Sequence, residues 1–183
     1  MIGYAQSGKD TVAAHLVERY GFRRYAFADA LKRIALDLDP IVEAPPSCAP
    51  GWGVLRLSEV VDRLGWEGAK KRPEVRRLLQ HLGVAVRDRL DPDAWVNEVM
   101  RQLHRETAPV VITDVRFPNE AKAIREQGGI LVRVERPGVG PVNAHHSETA
   151  LDDLRPEWTV QNDSDIPDLL DLIDRWYARE ITR

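Results

Sequence analysis

Cysteine is almost missing from this sequence: Cys48 stands alone, so no disulfide can close within the chain and a zinc site built on cysteine pairs is excluded. A reducing, cytosolic setting is the expectation. No apolar run approaches the ~20 residues that a membrane helix needs, and the first residues lack the basic stretch and apolar core of a secretory signal. The chain is therefore expected in the cytoplasm, with no membrane partner. An excess of positive charge is lacking too. The formal net charge is −3 at pH 7 and the pI is about 6.0, so the global basic footprint that drives nonspecific nucleic-acid binding is absent and no stable nucleic-acid complex is expected. Internal repeats and low-complexity tracts are not found.

What is present is a glycine-rich turn close to the start. Residues Gly3 to Thr11 read G-Y-A-Q-S-G-K-D-T, which meets G-x-x-x-x-G-K at Gly3, Gly8 and Lys9 but places Asp10 where the pattern has Ser or Thr. Glycines at these spacings let backbone N–H groups turn toward phosphate oxygens, the following helix favours anions at its N-terminus, and Lys9 can reach terminal phosphates as a point charge. A helix is predicted from Asp10 to Tyr20, with Val12, Ala13, Leu16, Val17 and Tyr20 on one face. A glycine turn before an ordinary helix, with Lys9 solvated, is the plainer alternative.

The 183 residues suit one domain with a single sizeable core. Short apolar runs alternate with helical patterns, which predicts an α/β fold with a parallel sheet flanked by helices. Strands are expected at 24–28, 110–113, 130–134 and 158–161. A first strand should precede Gly3, yet only Met1 and Ile2 stand there, so either that strand is very short or the natural start lies upstream. Asp91 and Pro92 read as N-cap and first residue of a helix, Pro118 opens another that Gly128 and Gly129 close, and a last helix starts near Asp165 and Pro167. Residues 40 to 53 carry Pro40, Pro45, Pro46, Pro50, Gly51 and Gly53 and read as a loop within an insertion. Residues 137 to 148 read as a second irregular stretch.

Three constellations carry chemistry. Val110-Val111-Ile112-Thr113 ends in Asp114, followed by Val115 and Arg116; ligands sit at the carboxyl ends of parallel strands, where Asp114 can hold Mg²⁺ or its water and Arg116 can grip phosphate. An ion pair between the two is the structural alternative. On the predicted helix Pro73 to Asp88, Val75, Leu79, Leu82 and Val86 form an apolar stripe, with Arg76, Gln80, Gly83 and Arg87 in a second stripe beside it. Lys70, Lys71, Arg72, Arg76, Arg77, Arg87 and Arg89 face only Glu74 and Asp88 in this segment, which suits a small anionic ligand. Gly83 suggests close approach to the backbone, and the stripe reads as an acceptor pocket or as a solvated basic face. Asp29 leaves a strand end, where it can cap the next helix or face reacting phosphates. The adjacent His145 and His146 make a poor zinc site, and a lid with polar tips is the better reading of Asn143–Glu148.

Taken together, S-G-K-D-T, F-A-D-A-L-K, L-L-Q-H-L-G, D-P-D-A-W-V, T-D-V-R-F-P-N-E-A and H-H-S-E resemble the bacteriophage deoxynucleoside monophosphate kinases through nearly the whole chain. The animal-type phosphomevalonate kinases share S-G-K-D and D-x-R. The resemblance implies a single P-loop NTPase-type kinase domain over residues 1–183, with a mostly helical acceptor-binding insertion at about 40–105 and a short lid at about 137–156. It implies transfer of the ATP γ-phosphoryl group to a deoxynucleoside 5′-monophosphate with Mg²⁺, in a host's cytoplasm if the gene is a phage's. Gly3, Gln6, Ser7, Gly8 and Lys9 would bind the ATP phosphates. Asp10, Thr11 and Asp114 would face the metal, with direct ligation by Thr11 open because Asp10 displaces the usual hydroxyl. Arg87 and Arg116 would hold the acceptor phosphate, Asp29, Lys32, Arg76, Gln80, Gly83 and Trp95 would line the acceptor side, and Asn162 and Asp163 would lie near the adenine. A kinase for a phosphomevalonate-like or dephospho-coenzyme A-like acceptor, and a non-catalytic ATP-binding regulatory module, are the rival readings. Polynucleotide 5′-end phosphorylation would want a longer basic groove. A homodimer is compatible with the sequence, which does not fix the oligomeric state.

Overall fold

The computed structural model describes residues 1–43, 53–140 and 150–180. Cys48 and the Pro45–Gly51 stretch lie outside the described residues, as does the Asn143–Glu148 segment read as part of a lid. Seven helices and six short strands are described, a mixed α/β chain. It divides into two compact units, one made of Met1–Phe27 with Val99–Arg183, the other of Ala28–Glu98.

The first unit holds two parallel strand pairs. Strand β1 (Arg23–Tyr25) runs beside β4 (Val110–Ile112) with Arg23 opposite Val110, and β5 (Val132–Glu135) runs beside β6 (Trp158–Gln161) with Val132 opposite Trp158. Ile2 bridges in parallel to Arg133: its N–H donates to the Val132 carbonyl at 2.9 Å and its carbonyl accepts from Val134 at 3.0 Å. The Met1 amine donates to the Ile112 carbonyl. Ahead of Gly3, Ile2 is therefore a bridging residue at the place where a strand is expected. Strand β5 begins two residues later than its apolar run, because the Leu131 N–H is taken by the Glu157 carboxylate at 2.7 Å instead of a neighbouring strand.

Helix α1 (Lys9–Tyr20) follows the glycine turn, and α6 (Pro118–Glu126) and α7 (Ile166–Glu180) complete the unit with part of α5 (Ala94–Leu103). Val12, Ala13 and Leu16 recur at helical spacing and are buried with Val111, Val134, Val160, Leu169 and Ile173 in one cluster. Helix α1 ends where the Gly21 and Phe22 N–H groups turn back to the Val17 and Leu16 carbonyls, which satisfies groups the last turn leaves open. Each fully buried Val, Leu or Ile contributes about 1.5–3 kcal/mol, against about 0–1 kcal/mol for an exposed ion pair. The apolar cluster therefore dominates the docking of α1 on α7.

The second unit holds most of α2 (Phe27–Leu38), an antiparallel ribbon of β2 (Ile41–Glu43) and β3 (Leu55–Arg56), α3 (Leu57–Ala69), which bends at Gly65, and α4 (Pro73–Arg89). Its core joins Ala35, Val42, Leu57, Val60, Ala69 and Val75, with Leu78, Leu79 and Leu82 packed against it, so Val75, Leu79 and Leu82 of the apolar stripe read on α4 face inward. Three expectations are corrected. Residues 41–43, read as loop, form a strand, since Val42 is buried between exposed Ile41 and Glu43 in the alternation of a half-buried strand. Helix α5 starts at Ala94, after a turn in which Asp91 accepts from the Asp93 N–H at 2.8 Å. Helix α2 starts at Phe27, so Asp29 sits within its first turn and does not cap it. No described helix is long and apolar enough to cross a membrane.

One polar cluster pins α1 to α7. Asp174 accepts from His15 Nε2 at 2.5 Å and Tyr20 Oη at 2.8 Å, and pairs with Arg19 at 3.2 Å. Burial alone would push the Asp174 carboxyl up, but the hydrogen bonds from His15 and Tyr20 and the charges beside it outweigh this and hold it below its ordinary 3.8. The folded-state value is depressed, so the stabilisation is complete above pH 3.8 and is lost as pH falls through the lower value of the folded chain. Asp174→Asn is expected to unfold at lower denaturant than the parent at pH 7, with the difference shrinking as acid is added below about pH 4; urea titrations at stepped pH check this.

Candidate functional site

The glycine turn is built by two positions that admit no side chain. Gly3 has φ 131° and Gly8 φ 107°, a region L-residues rarely adopt. A Cβ on Gly3 would run into the Val134 carbonyl oxygen, and one on Gly8 would lie 2.6 Å from Asn162 Nδ2. The loop is therefore pressed against the ends of β5 and β6. Gln6 adds a left-handed φ of 66°, uncommon outside glycine, next to the Ser7 N–H that donates to the Tyr4 carbonyl at 3.3 Å. Ser7 is buried at 1 % exposure, and its hydroxyl finds no hydrogen-bond partner among the described residues.

Lys9 opens α1 and folds back over the turn, donating to the carbonyls of Gly3 at 2.7 Å and Tyr4 at 2.6 Å. Gly8 is the N-cap, so the first N–H groups of α1 and the loop amides share one end of the helix, where anions are favoured. Asp10 is exposed and Thr11 half-buried in the first turn of that helix. Asn162 follows β6 directly: its N–H donates to the Glu135 carbonyl at 2.7 Å, and its side-chain amide donates to the Ser7 carbonyl at 2.8 Å. Asn162 is buried and Asp163 exposed.

Asp114 stands just beyond β4, half-buried, and its Oδ1 accepts the Phe27 N–H at 2.8 Å. This carboxylate, rather than Asp29, receives the first N–H of α2. Arg116 is exposed two residues on. Its backbone N–H and that of Phe117 both donate to Glu120 Oε2, at 2.6 and 3.0 Å. Glu120 is only 3 % exposed, which is rare for a carboxylate. The first unit thus gathers Gly3, Gln6, Ser7, Gly8, Lys9, Asp10, Thr11, Asp114, Arg116, Asn162 and Asp163.

The remaining sequence-derived candidates belong to the second unit. Lys32 Nζ lies 3.3 Å from Asp29 Oδ1 and 5.8 Å from the centre of the Trp66 ring. Arg76 and Gln80 are exposed along α4, with Gly83 and Arg87 half-buried. Gly83 and Trp95 are brought together, since the Trp95 indole N–H points at the Gly83 carbonyl at 3.4 Å, and Trp95 itself is buried at 8 % exposure. The close approach inferred from Gly83 is not met by the protein itself. A Cβ there would touch only Leu31 Cδ2, at an ordinary 3.6 Å.

Sequence reading passed over three residues that hold this site. Glu120 carried a signal, because a Glu two residues after a helix-opening Pro118 is the N3 position whose side chain reaches back to the preceding N–H groups. Arg133 and Tyr4 carried none. Arg133 Nη2 donates to the Leu151 and Leu154 carbonyls at 2.7 Å each, and the Tyr4 hydroxyl donates to Asp152 at 3.0 Å, contacts that only the folded chain creates.

A glycine turn with no room for a Cβ at Gly3 and Gly8, feeding a helix N-terminus at the ends of parallel strands, gives this α/β protein a helix end of the kind that favours anions. The chain belongs to the deoxynucleotide monophosphate kinase family, whose sequence profile matches residues 60–173, and it is a phosphotransferase of that kind. It is 32% identical over 170 residues, covering 85% of this chain and 82% of the other, to an Acanthamoeba polyphaga mimivirus protein designated "Putative deoxynucleotide monophosphate kinase". An uncharacterized protein of Ictalurid herpesvirus 1 (strain Auburn) is 37% identical over 106 residues, 52% of this chain and 45% of that one. Membership of a kinase family implies use of ATP, and of nucleotides as substrates.

Glu120→Ala leaves two N–H groups without their acceptor and is expected to cost about 1–3 kcal/mol of stability. Glu120→Gln, which keeps an acceptor oxygen, should recover part of it. Chemical denaturation of the three proteins checks both.

Proposed function

We propose that the chain transfers the γ-phosphoryl group of ATP to a deoxynucleoside 5′-monophosphate, giving the diphosphate and ADP with the help of Mg²⁺. The observation that carries the reading is the turn from Gly3 to Lys9, where both end glycines exclude a Cβ and the lysine ammonium lies on the concave backbone. Family membership supplies the acceptor class. The ties from Met1 and Ile2 to β4 and β5 support a P-loop NTPase-type sheet, in which this short first strand would lie between the two parallel pairs.

The residues present fit the donor. Loop amides and the α1 N-terminus supply N–H groups for phosphate oxygens, and Lys9 exchanges its two carbonyl partners for the transferring group as charge develops on it. Mg²⁺ is commonly held by one or two carboxylates together with substrate phosphates; Asp114 at the end of β4 is such a carboxylate, and Asp10 and Thr11 lie in the first turn of α1 beside the loop. When bound, the ion would neutralise phosphate charge. Arg116 and Arg87 are the guanidinium groups for phosphate, Arg76, Gln80 and Lys32 with Asp29 are the polar groups for the acceptor, and Trp95 points its indole N–H at the Gly83 carbonyl. Little covalent chemistry is asked of the protein: positioning and charge neutralisation do the work.

ADP formation from Mg·ATP should rise over background hydrolysis with one or more deoxynucleoside monophosphates, and not with phosphomevalonate or dephospho-coenzyme A. Stimulation by one of the latter alone would replace the acceptor. Arg87→Ala should raise KM for the deoxynucleotide about tenfold or more, the loss of one charge-assisted contact, with KM for ATP little changed. Unchanged acceptor affinity would remove Arg87 from the site.

A further inference from the structure

Asn162 is placed near the adenine by the family resemblance, yet its side chain is spent elsewhere. The residue sits one step beyond β6, its backbone N–H prolongs the ladder to Glu135, its side chain is buried, and its amide donates to the Ser7 carbonyl at 2.8 Å. The acceptor is a backbone carbonyl, so the group facing it must be the NH₂ of the amide. Nδ2 also fills the space that a Cβ on Gly8 would need. The glycine and the asparagine are therefore two halves of one contact.

A trans peptide points its C=O and its N–H in opposite directions. Holding the Ser7 oxygen against Asn162 fixes the Ser7–Gly8 peptide with its carbonyl turned toward β6 and the Gly8 N–H turned the other way. Gly8, lacking a Cβ, is the residue at which such a peptide most easily rotates. Rotation would aim a carbonyl dipole where phosphate charge is to be received. We infer that Asn162 is a positioning residue for the phosphates of the donor nucleotide, acting through the Ser7–Gly8 peptide, and that it does not read the base. This rests on the phosphate-loop reading above and specifies which residue sets the loop's donor.

The two roles separate by ligand. Mg·ATP, Mg·GTP and inorganic tripolyphosphate are titrated calorimetrically into the intact protein and into Asn162→Ala and Asn162→Asp, with near-UV circular dichroism confirming the fold. Asn162→Asp sets a carboxylate against the Ser7 carbonyl and should weaken all three ligands by a common factor of about ten or more. Asn162→Ala should weaken them by a smaller common factor, and it decides the matter alone if the Asp variant does not fold. The ATP-to-GTP preference should be unchanged in both. Loss confined to ATP with tripolyphosphate unaffected would overturn the inference in favour of a base contact, and unchanged binding of all three would show the bond to be idle. Failure of the parent protein to bind any of the three would instead remove the phosphate-loop reading, and the inference with it.

Discussion

Two residues tie the first unit together. Ile2 exchanges backbone hydrogen bonds with Val132 and Val134 while the Met1 amine reaches the Ile112 carbonyl, so the shortest extended segment of the chain is held to both β4 and β5. Because the glycine turn begins at the next residue, its position is inherited from these bonds. Val134, whose N–H donates to the Ile2 carbonyl, closes its own carbonyl on Gly3, and the end of β6 supplies Asn162.

Around this tie the energetic roles divide. Apolar burial by Val12, Leu16, Val134, Val160 and Ile173 holds α1 in place, while polar groups set direction. Glu120 holds the turn after β4, Asp114 accepts the first N–H of α2, and Asn162 donates to the loop at the Ser7 carbonyl. Each bonds backbone groups, which every substitution but one to proline leaves in place. Such contacts define geometry more than they add stability, since a net hydrogen bond is worth only about 1 kcal/mol.

Much of the first unit was legible because periodicity and turn chemistry agree there. The stripe Val12, Ala13, Leu16 marked α1, the run Val110–Ile112 marked β4, and Pro118 with the paired glycines 128 and 129 bracketed α6. The second unit was less legible. Prolines across 40–53 masked the short strand at 41–43, whose one inward residue, Val42, is too little for a period. Where the site residues act was harder still. Asp29 has the chemistry of a cap, but Asp114, far away in sequence, occupies that role, and no local pattern reports a bond such as Asn162 to Ser7 across 155 positions. Gly83 is a similar case: its weak helix propensity is visible in the sequence, whereas the room beside Leu31 is not.

The lysine folded over its own loop carries one more consequence. With Nζ bonded to the Gly3 and Tyr4 carbonyls, the first residue of α1 is tied back to the start of the turn, so the phosphate loop proposed above would be held in shape by its own lysine. An incoming anion must then outbid two oxygens for the ammonium. A singly charged carboxylate or chloride offers about as much as it displaces, whereas a terminal phosphate brings multiple charge and several oxygens at once. On that proposal the contact would favour anions of higher charge over the small monovalent ions that surround the chain.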